Sequence, residues 1–197
     1  EAAVDNLVSS KGLIYLFDPR AELRAKESTS SNADSGADFF NKCLTELGAQ
    51  AYQAGTLIGG KLPHRVAVCI TKFNDPRIFQ LACEGGYVTQ DQVAPHLPRV
   101  ADAAGFFEWL CSSHLGGSAR QVRDAILNYF RPSRINFFVC SSVGFRSPFT
   151  PASTPFSNLK VEVAGARARY EMYDYPDPIN VLEPFIGLAR DMGSTER

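Results

Sequence analysis

The chain has 197 residues, of which 45% are hydrophobic, and its formal net charge is −1. This length predicts a single domain over residues 1–197, with enough apolar side chains for a substantial core. The near-neutral charge, without a long Lys/Arg run, argues against a nucleic-acid partner. No apolar stretch approaches the ~20 residues that span a bilayer, so we expect a cytoplasmic protein that binds small molecules or proteins.

Three apolar runs predict buried β-strands, and segments with helical periodicity lie between and after them. The strands are predicted at 12–17, 65–72 and 135–140. Helices are predicted at 37–54, around 77–83, from about 100 to 114, from about 118 to 130, and at 180–192. A Ser-rich loop is predicted at 27–36, and a Pro/Ser-rich segment at 144–178 contains a hairpin-like alternation at 159–163 and 168–173.

Strands that are apolar on both faces and alternate with helices are typical of a parallel sheet covered on both sides. The predicted fold class is therefore α/β, a three-layer sandwich with a mostly parallel sheet. We expect the strand that ends at Thr71 to lie between the other two. The 12–17 strand is too apolar for an open edge, so we expect it to pair with a strand outside this sequence.

Ligands of such sheets bind where the strands end, at their carboxyl ends. The three ends carry Asp18-Pro19, then Thr71-Lys72-Phe73-Asn74-Asp75, then Cys140-Ser141-Ser142-Val143-Gly144. The second end could be an ordinary turn, because Asn, Asp and Pro commonly end strands and start helices. An α/β enzyme that uses Asp18 and a serine is a weaker alternative, because the sequence has no G-x-S-x-G turn.

The second strand end resembles the guanine-specificity motif N/T-K-x-D of P-loop GTPases, and the third resembles their S-A-x motif. The 12–19 run is similar to the strand after the family's switch II, and residues 180–185 are similar to the final helix of bacterial double GTPases. The resemblance implies a GTP or GDP site that begins at Thr71, with the stem of Lys72 over the base. It also implies that Asn74 or Asp75 accepts hydrogen bonds from guanine, and that the loop of Ser141, Ser142 and Val143 presents backbone N–H groups.

The sequence departs from the motif at Asn74, where the family has aspartate. Guanine offers two donors at this position, whereas an amide brings one acceptor and one donor. Three outcomes remain open: Asp75 takes the role through a shifted loop, the preference moves towards a xanthine-like edge, or nucleotide binding is lost.

The phosphate-binding half of the family is missing from the sequence. The nearest match to a P-loop is Gly55-Thr56-Leu57-Ile58-Gly59-Gly60-Lys61, but Leu62 follows it where a P-loop needs Ser or Thr for Mg²⁺. A helix precedes this run and a strand follows, so we interpret it as a helix C-cap and loop. We expect Mg²⁺ only if the missing half is supplied, and no hydrolysis by this chain alone.

Two functional hypotheses follow from the resemblance. The first is the base-recognition half of a regulatory GTPase whose nucleotide state is sensed by effector proteins. The second is a nucleotide-free pseudo-GTPase scaffold for protein interaction.

Cysteine and histidine give little sign of other chemistry. The five cysteines are widely spaced and form no C-x-x-C pair, and Cys69 and Cys140 are predicted as small buried hydrophobes. His64, His96 and His114 are isolated from one another and are predicted to be solvated. Neither a metal site nor a catalytic histidine is favoured.

Overall fold

The structure is a computed structural model that describes residues 2–27, 36–90, 98–145, 157–164 and 167–193. Its elements in chain order are α1 Ala2–Ser9, β1 Gly12–Phe17, α2 Pro19–Glu27, α3 Gly36–Gln53, β2 Arg65–Ile70, α4 Pro76–Glu84, β3 Val88–Gln90, β4 Pro98–Val100, α5 Ala103–Trp109, a π-helical turn Leu110–His114, α6 Gly117–Tyr129, a 3₁₀ turn Pro132–Arg134, β5 Ile135–Val139, β6 Leu159–Ala164, β7 Arg167–Met172 and α7 Glu183–Gly193.

The central sheet has three parallel strands in the order β1-β2-β5. The prediction that the strand ending at Thr71 lies between the other two is therefore confirmed. β1 is an edge strand, and within the described ranges no strand pairs with its outer side. Two antiparallel pairs, β3-β4 and the β6-β7 hairpin, lie outside this sheet.

One face of the sheet packs into the main core. Alternate residues of a strand point to one face, and on this face Phe17 of β1 meets Phe107 of α5, with ring centroids 5.1 Å apart. Phe107 also meets Phe137 of β5 at 5.3 Å. Tyr15 contacts Phe40 of α3 at 4.2 Å. Helices α3, α5 and α6 supply most of the buried apolar side chains of this layer.

The opposite face is covered by α7. Glycines allow the close approach: a Cβ built on Gly12 would lie 3.5 Å from Leu188, and one built on Gly187 would lie 3.1 Å from Phe138. Asn136 of β5 donates to the carboxylate of Asp191 at 2.8 Å. Helices on both faces of a parallel sheet confirm the α/β class.

Two helices near the start of the chain, α1 and α2, were not predicted. α2 begins after Asp18, whose carboxylate accepts from the backbone N–H groups of Arg20 and Ala21 at 3.0 and 3.2 Å. An Asp-Pro pair at the cap and first helical position is the sequence signal for this start.

Two helices begin three residues later than predicted. The helix predicted from residue 100 begins at Ala103, because Val100 pairs with Val88 in β4 and Asp102 caps the helix by accepting from Gly105 N–H at 2.8 Å. The helix predicted from residue 180 begins at Glu183, since Asn180 has a φ of 49° and is not helical. Most of the loop predicted at 27–36 lies outside the described residues.

The run that partly matches a P-loop is a helix end and a turn, as predicted. Gly55 follows α3 with a φ of 65°, and Thr56 N–H returns to Ala51 C=O at 2.9 Å. Lys61 donates to the carbonyl groups of Leu127, at 3.2 Å, and Asn128 near the end of α6. The run precedes β2, so it lies at the amino end of the sheet, away from the carboxyl ends of the strands.

Candidate functional site

The carboxyl ends of the three parallel strands open into a cavity of about 690 Å³ on the face that α7 covers. Four of the predicted site residues line it: Thr71, Lys72, Asn74 and Ser142. Further lining comes from the strands and from the start of α7: Ile14, Leu16, Asp18, Cys69, Cys140, Asn180, Val181, Pro184 and Phe185. Its volume is in the usual range for small-molecule sites.

Backbone hydrogen bonds hold the three strand ends together. Thr71 donates twice to the carbonyl of Phe17, from its N–H at 2.8 Å and from its hydroxyl at 2.9 Å. Phe73 N–H donates to Cys140 C=O at 3.1 Å, and Cys140 N–H donates to Ile70 C=O at 2.8 Å. Thr71 therefore acts as a clamp between β1 and β2, and lines the cavity at the same time.

Lys72 has a left-handed backbone, with a φ of 61°. For a residue that is neither glycine nor asparagine this conformation is uncommon and costs about 1 kcal/mol or more. The side chain is exposed, and its ammonium has no acceptor within the described part of the chain. Local strain at an unpaired cation that lines a cavity is a reason to infer function.

Asn74 is held in a chain of hydrogen bonds. Ser141 donates its hydroxyl to Asn74 Oδ1 at 2.8 Å and accepts from Gly144 N–H at 2.9 Å. Asn74 Nδ2 donates to the hydroxyl oxygen of Ser157 at 2.9 Å. Since an amide oxygen accepts two bonds and an amide nitrogen donates two, Asn74 retains one acceptor and one donor position.

Asp75 does not line this cavity. Its carboxylate caps α4 by accepting from Arg77 N–H at 3.0 Å, and it forms an ion pair with Arg20 at 3.2 Å. These two contacts give the carboxylate a structural role, so Asn74, and not Asp75, presents its side chain to the cavity.

Ser141, Ser142 and Val143 occupy three different environments. Ser141 is buried beneath Asn74, Ser142 is exposed at the cavity wall, and the carbonyl of Val143 accepts from the side chain of Asn158 at 3.3 Å. Within the described residues, the backbone N–H groups of Ser142 and Val143 have no acceptor. The loop therefore combines one residue that fixes Asn74 with two unpaired backbone donors.

Asn158 organises the loop and was missed by the sequence reasoning. It is fully buried, and its amide donates to Val143, Asp174 and Tyr175 carbonyls at 3.3, 3.1 and 3.0 Å. Asp174 N–H returns to Asn158 Oδ1 at 2.8 Å. An asparagine in a Pro/Ser-rich segment carries no sequence signal that would separate such a buried hub from a solvated loop residue.

Asn180 was also missed as a site residue. Its left-handed backbone turns the chain into α7, and its Nδ2 donates to Val139 C=O at 2.9 Å at the end of β5. The neighbouring Ile179 exchanges two backbone hydrogen bonds with Ser141, at 3.0 and 2.8 Å. An Asn shortly before a helix, at a position that tolerates positive φ, is the only sequence signal for this role.

Neither a phosphate cradle nor a metal site accompanies the cavity in the described residues. No group of three or more His, Cys, Asp or Glu side chains there could hold a metal ion. The described helices also include none that is long and apolar enough to cross a membrane. Among the residues that line the cavity, Lys72, Asn74 and Ser142 offer polar groups that suit recognition of a planar polar ligand.

The fold and the cavity define an α/β protein with a ligand-sized site at the carboxyl ends of its parallel strands. Comparison of the chain with protein-family models, with curated proteins and with solved structures gave no significant match.

Proposed function

We propose that this cavity binds the base of a purine nucleotide, as the resemblance to P-loop GTPases implies. The observation that carries the proposal is the strained Lys72, which has no acceptor within the described residues, beside Asn74 and Ser142 in one cavity. The aliphatic stem of Lys72 would cover the base, while Asn74 and the 142–143 backbone would bind its polar edge. The guanine nucleotide and the effector proteins expected from the resemblance belong to this proposal.

Asn74 favours a xanthine edge over a guanine edge. Its remaining oxygen position accepts from the ring N–H that both bases carry, and its remaining N–H points a donor at the neighbouring group. In xanthine that group is a carbonyl, which accepts. In guanine it is an amine, so two donors would meet and the affinity would fall.

The phosphates need residues beyond those that form this cavity. A P-loop holds phosphates with the backbone N–H groups of a glycine-rich loop that opens a helix, and its Ser or Thr binds Mg²⁺. The only partial match in the sequence, 55–61, lies at the other end of the sheet. We therefore propose that this chain supplies base recognition, and that Mg²⁺ binding and hydrolysis require a complementary half.

The test is titration of the ¹⁵N-labelled chain with the diphosphates of xanthosine, guanosine and adenosine, followed by amide chemical shifts. We expect the largest shifts at residues 72–74 and 142–143, and the tightest binding for the xanthosine nucleotide. Absence of any shift with all three nucleotides would contradict the proposal.

Two matched substitutions separate the roles of neighbouring residues. Asn74→Asp restores a group that only accepts, so it should reverse the preference in favour of guanosine diphosphate by about tenfold, or roughly 1.4 kcal/mol. Asp75→Asn should leave the preference unchanged, because Asp75 caps α4 and pairs with Arg20. If Asp75→Asn removes guanine binding instead, Asp75 is the recognition residue.

A second candidate function is a scaffold that docks another polypeptide on β1. The outer edge of β1 is open within the described residues, and Leu16 of β1 and Phe185, which line the same cavity, are 66% and 60% exposed. An open apolar edge is a template for another strand. A partner that adds a parallel strand would slow the amide exchange of β1, whereas a nucleotide would act mainly on 72–74 and 142–143.

A further inference from the structure

Two free thiols lie at the floor of the cavity, and base recognition uses neither. Cys69 is in β2 and Cys140 directly follows β5. Both line the cavity and both are unoxidised, with exposures of 2% and 8%. The cavity therefore gives small solutes a path to two cysteines that are otherwise enclosed.

The strand register brings these two cysteines to the same face. Cys69 lies opposite Phe138 in the parallel pairing of β2 with β5, and Cys140 is two residues beyond Phe138. Side chains two residues apart point to the same side of a strand. The two thiols lie close enough for each to affect the pKa of the other.

The interaction between the two thiols gives them different pKa values. It lowers the pKa of Cys69, because the Cys140 thiol stabilises the Cys69 thiolate, against an opposing effect of burial. The same interaction, together with burial, raises the pKa of Cys140. Cys69 is thus the thiol that ionises first, and the thiolate is the nucleophile in cysteine oxidation.

We propose that Cys69 and Cys140 form a reversible disulfide when the protein meets a peroxide. The Cys69 thiolate attacks one oxygen of hydrogen peroxide, the O–O bond breaks, and hydroxide leaves a sulfenic acid on Cys69. Cys140 loses its proton and attacks that sulfur; the S–S bond forms, the S–O bond breaks, and the oxygen departs as water. In total, two thiols and one peroxide give one disulfide and two waters.

Closing this bond moves the loop that holds Asn74. The sulfurs must approach to about 2.05 Å, and Cys140 is adjacent in sequence to Ser141. Ser141 donates to Asn74, and Cys140 C=O accepts from Phe73 N–H. The disulfide would therefore displace the base-recognition residues, a consequence that rests on the proposed function, whereas the thiol chemistry does not.

The experiment treats the intact chain with hydrogen peroxide, blocks remaining thiols with N-ethylmaleimide, and digests with trypsin without a reductant. Trypsin cuts after Arg65, Lys72 and Arg134, so the two cysteines fall in separate peptides. We expect a cross-linked pair of these peptides whose mass is about 2 Da below their sum. Dithiothreitol should separate the pair.

Three single variants provide the controls. Cys69→Ser and Cys140→Ser should each abolish the cross-linked pair, whereas Cys83→Ser, at an exposed cysteine, should retain it. Circular dichroism of each variant shows whether it is folded. If either serine variant is unfolded, the wild-type digest still decides, because alkylation of Cys69 and Cys140 after peroxide treatment would overturn the proposal. Cross-links that join Cys43 or Cys83 instead would overturn it as well.

Nucleotide titration of the oxidised and reduced chain separates this inference from the proposed function. Shifts at 72–74 that are present in the reduced chain, lost on oxidation and restored by dithiothreitol support both. A cross-link without nucleotide-induced amide shifts in the reduced chain would contradict base recognition and leave the disulfide proposal intact. Nucleotide-induced amide shifts without a cross-link would contradict the disulfide proposal and leave base recognition intact.

Discussion

The two faces of the central sheet differ in how completely they are filled. The face towards α3, α5 and α6 carries Phe17, Val68 and Ile70, each at most 1% exposed. The face towards α7 contains a cavity of about 690 Å³, and Leu16 of β1 remains 66% exposed there. Both faces are apolar in sequence, so apolarity alone does not distinguish a stabilising layer from a binding layer.

The largest expected difference between the faces is in how far the free energy of unfolding falls when an aromatic ring is truncated. Phe107→Ala removes a side chain that is 2% exposed and contacts Phe17 and Phe137, so unfolding free energy should fall by about 4 kcal/mol. Phe185→Ala, at a residue 60% exposed beside the cavity, should cost less than about 1 kcal/mol. Urea denaturation measures both changes. Equal losses of unfolding free energy would show that the two faces contribute equally to stability.

The next difference is between glycine turns at the two ends of the sheet. Gly144 and Gly60 both have positive φ, 69° and 73°. A Cβ on Gly144 would overlap the carbonyl of Asp177, whereas one on Gly60 would meet nothing within 4 Å. Gly144→Ala should therefore lower the free energy of unfolding by about 3 kcal/mol. Gly60→Ala should lower it by about 1 kcal/mol, since only backbone strain acts at Gly60.

The same pair of variants shows whether the 141–145 loop is shaped by packing. If the two losses measured by urea denaturation are equal, the contact with Asp177 adds nothing to the strain at Gly144. A loss at Gly144 accompanied by altered amide shifts at Asn74 would link the loop to the base-recognition residues.

The sequence was sufficient to predict the sheet and the location of the cavity. The positions of the three strands followed from apolar runs of strand length, and the location of the site followed from the rule that ligands bind at carboxyl strand ends. Thr71, Lys72, Asn74 and Ser142 do line one cavity. Periodicity also gave α3 and α6 almost to the residue, because both bury one long apolar stripe.

The parts that could not be predicted depend on contacts distant in sequence. Asn158 can hold the loop only because the backbone carbonyls of Val143 and Gly144 fold back within hydrogen-bonding distance of it. Asp75 follows the motif in sequence, yet its capping of α4 and its pairing with Arg20 turn it away from the cavity. His64 was predicted to be solvated and is 1% exposed, because its ring packs beneath α1 and bonds to Leu7.

A smaller effect, a gain in stability instead of a loss, is expected from a substitution at Lys72 on the cavity side. Lys72→Gly relieves a left-handed backbone and should stabilise the chain by about 1 kcal/mol, whereas Lys72→Ala retains the strain and should not stabilise it. Both variants should weaken nucleotide binding, because both remove the stem that covers the base. A glycine variant that gains no stability in urea would show that the loop does not strain Lys72.

The smallest expected effect is a pH dependence from the amino end of the sheet. Burial lowers the pKa of His64, against the opposing effect of the Leu7 and Val8 carbonyls. The folded state therefore holds His64 neutral. The stability that the neutral ring contributes is fully present above the ordinary histidine pKa of about 6.5 and is lost as the pH falls below it. Nε2 bonds to Leu7 C=O at 3.0 Å while Nδ1 has no partner within the described residues, so protonation would bury an unpaired N–H.

The urea midpoint of the wild-type chain should therefore fall between about pH 7.5 and about pH 5.5, above the range in which exposed carboxylates titrate. His64→Gln keeps an amide donor for Leu7 but cannot ionise, so its midpoint should change less over the same interval. His114→Gln replaces a ring whose centroid lies 3.9 Å from that of Trp109 in a tilted contact, and it retains His64, so it should keep the wild-type dependence. If His114→Gln removes the dependence and His64→Gln preserves it, the pH sensitivity arises from the π-helical turn and not from the contact between α1 and the start of β2.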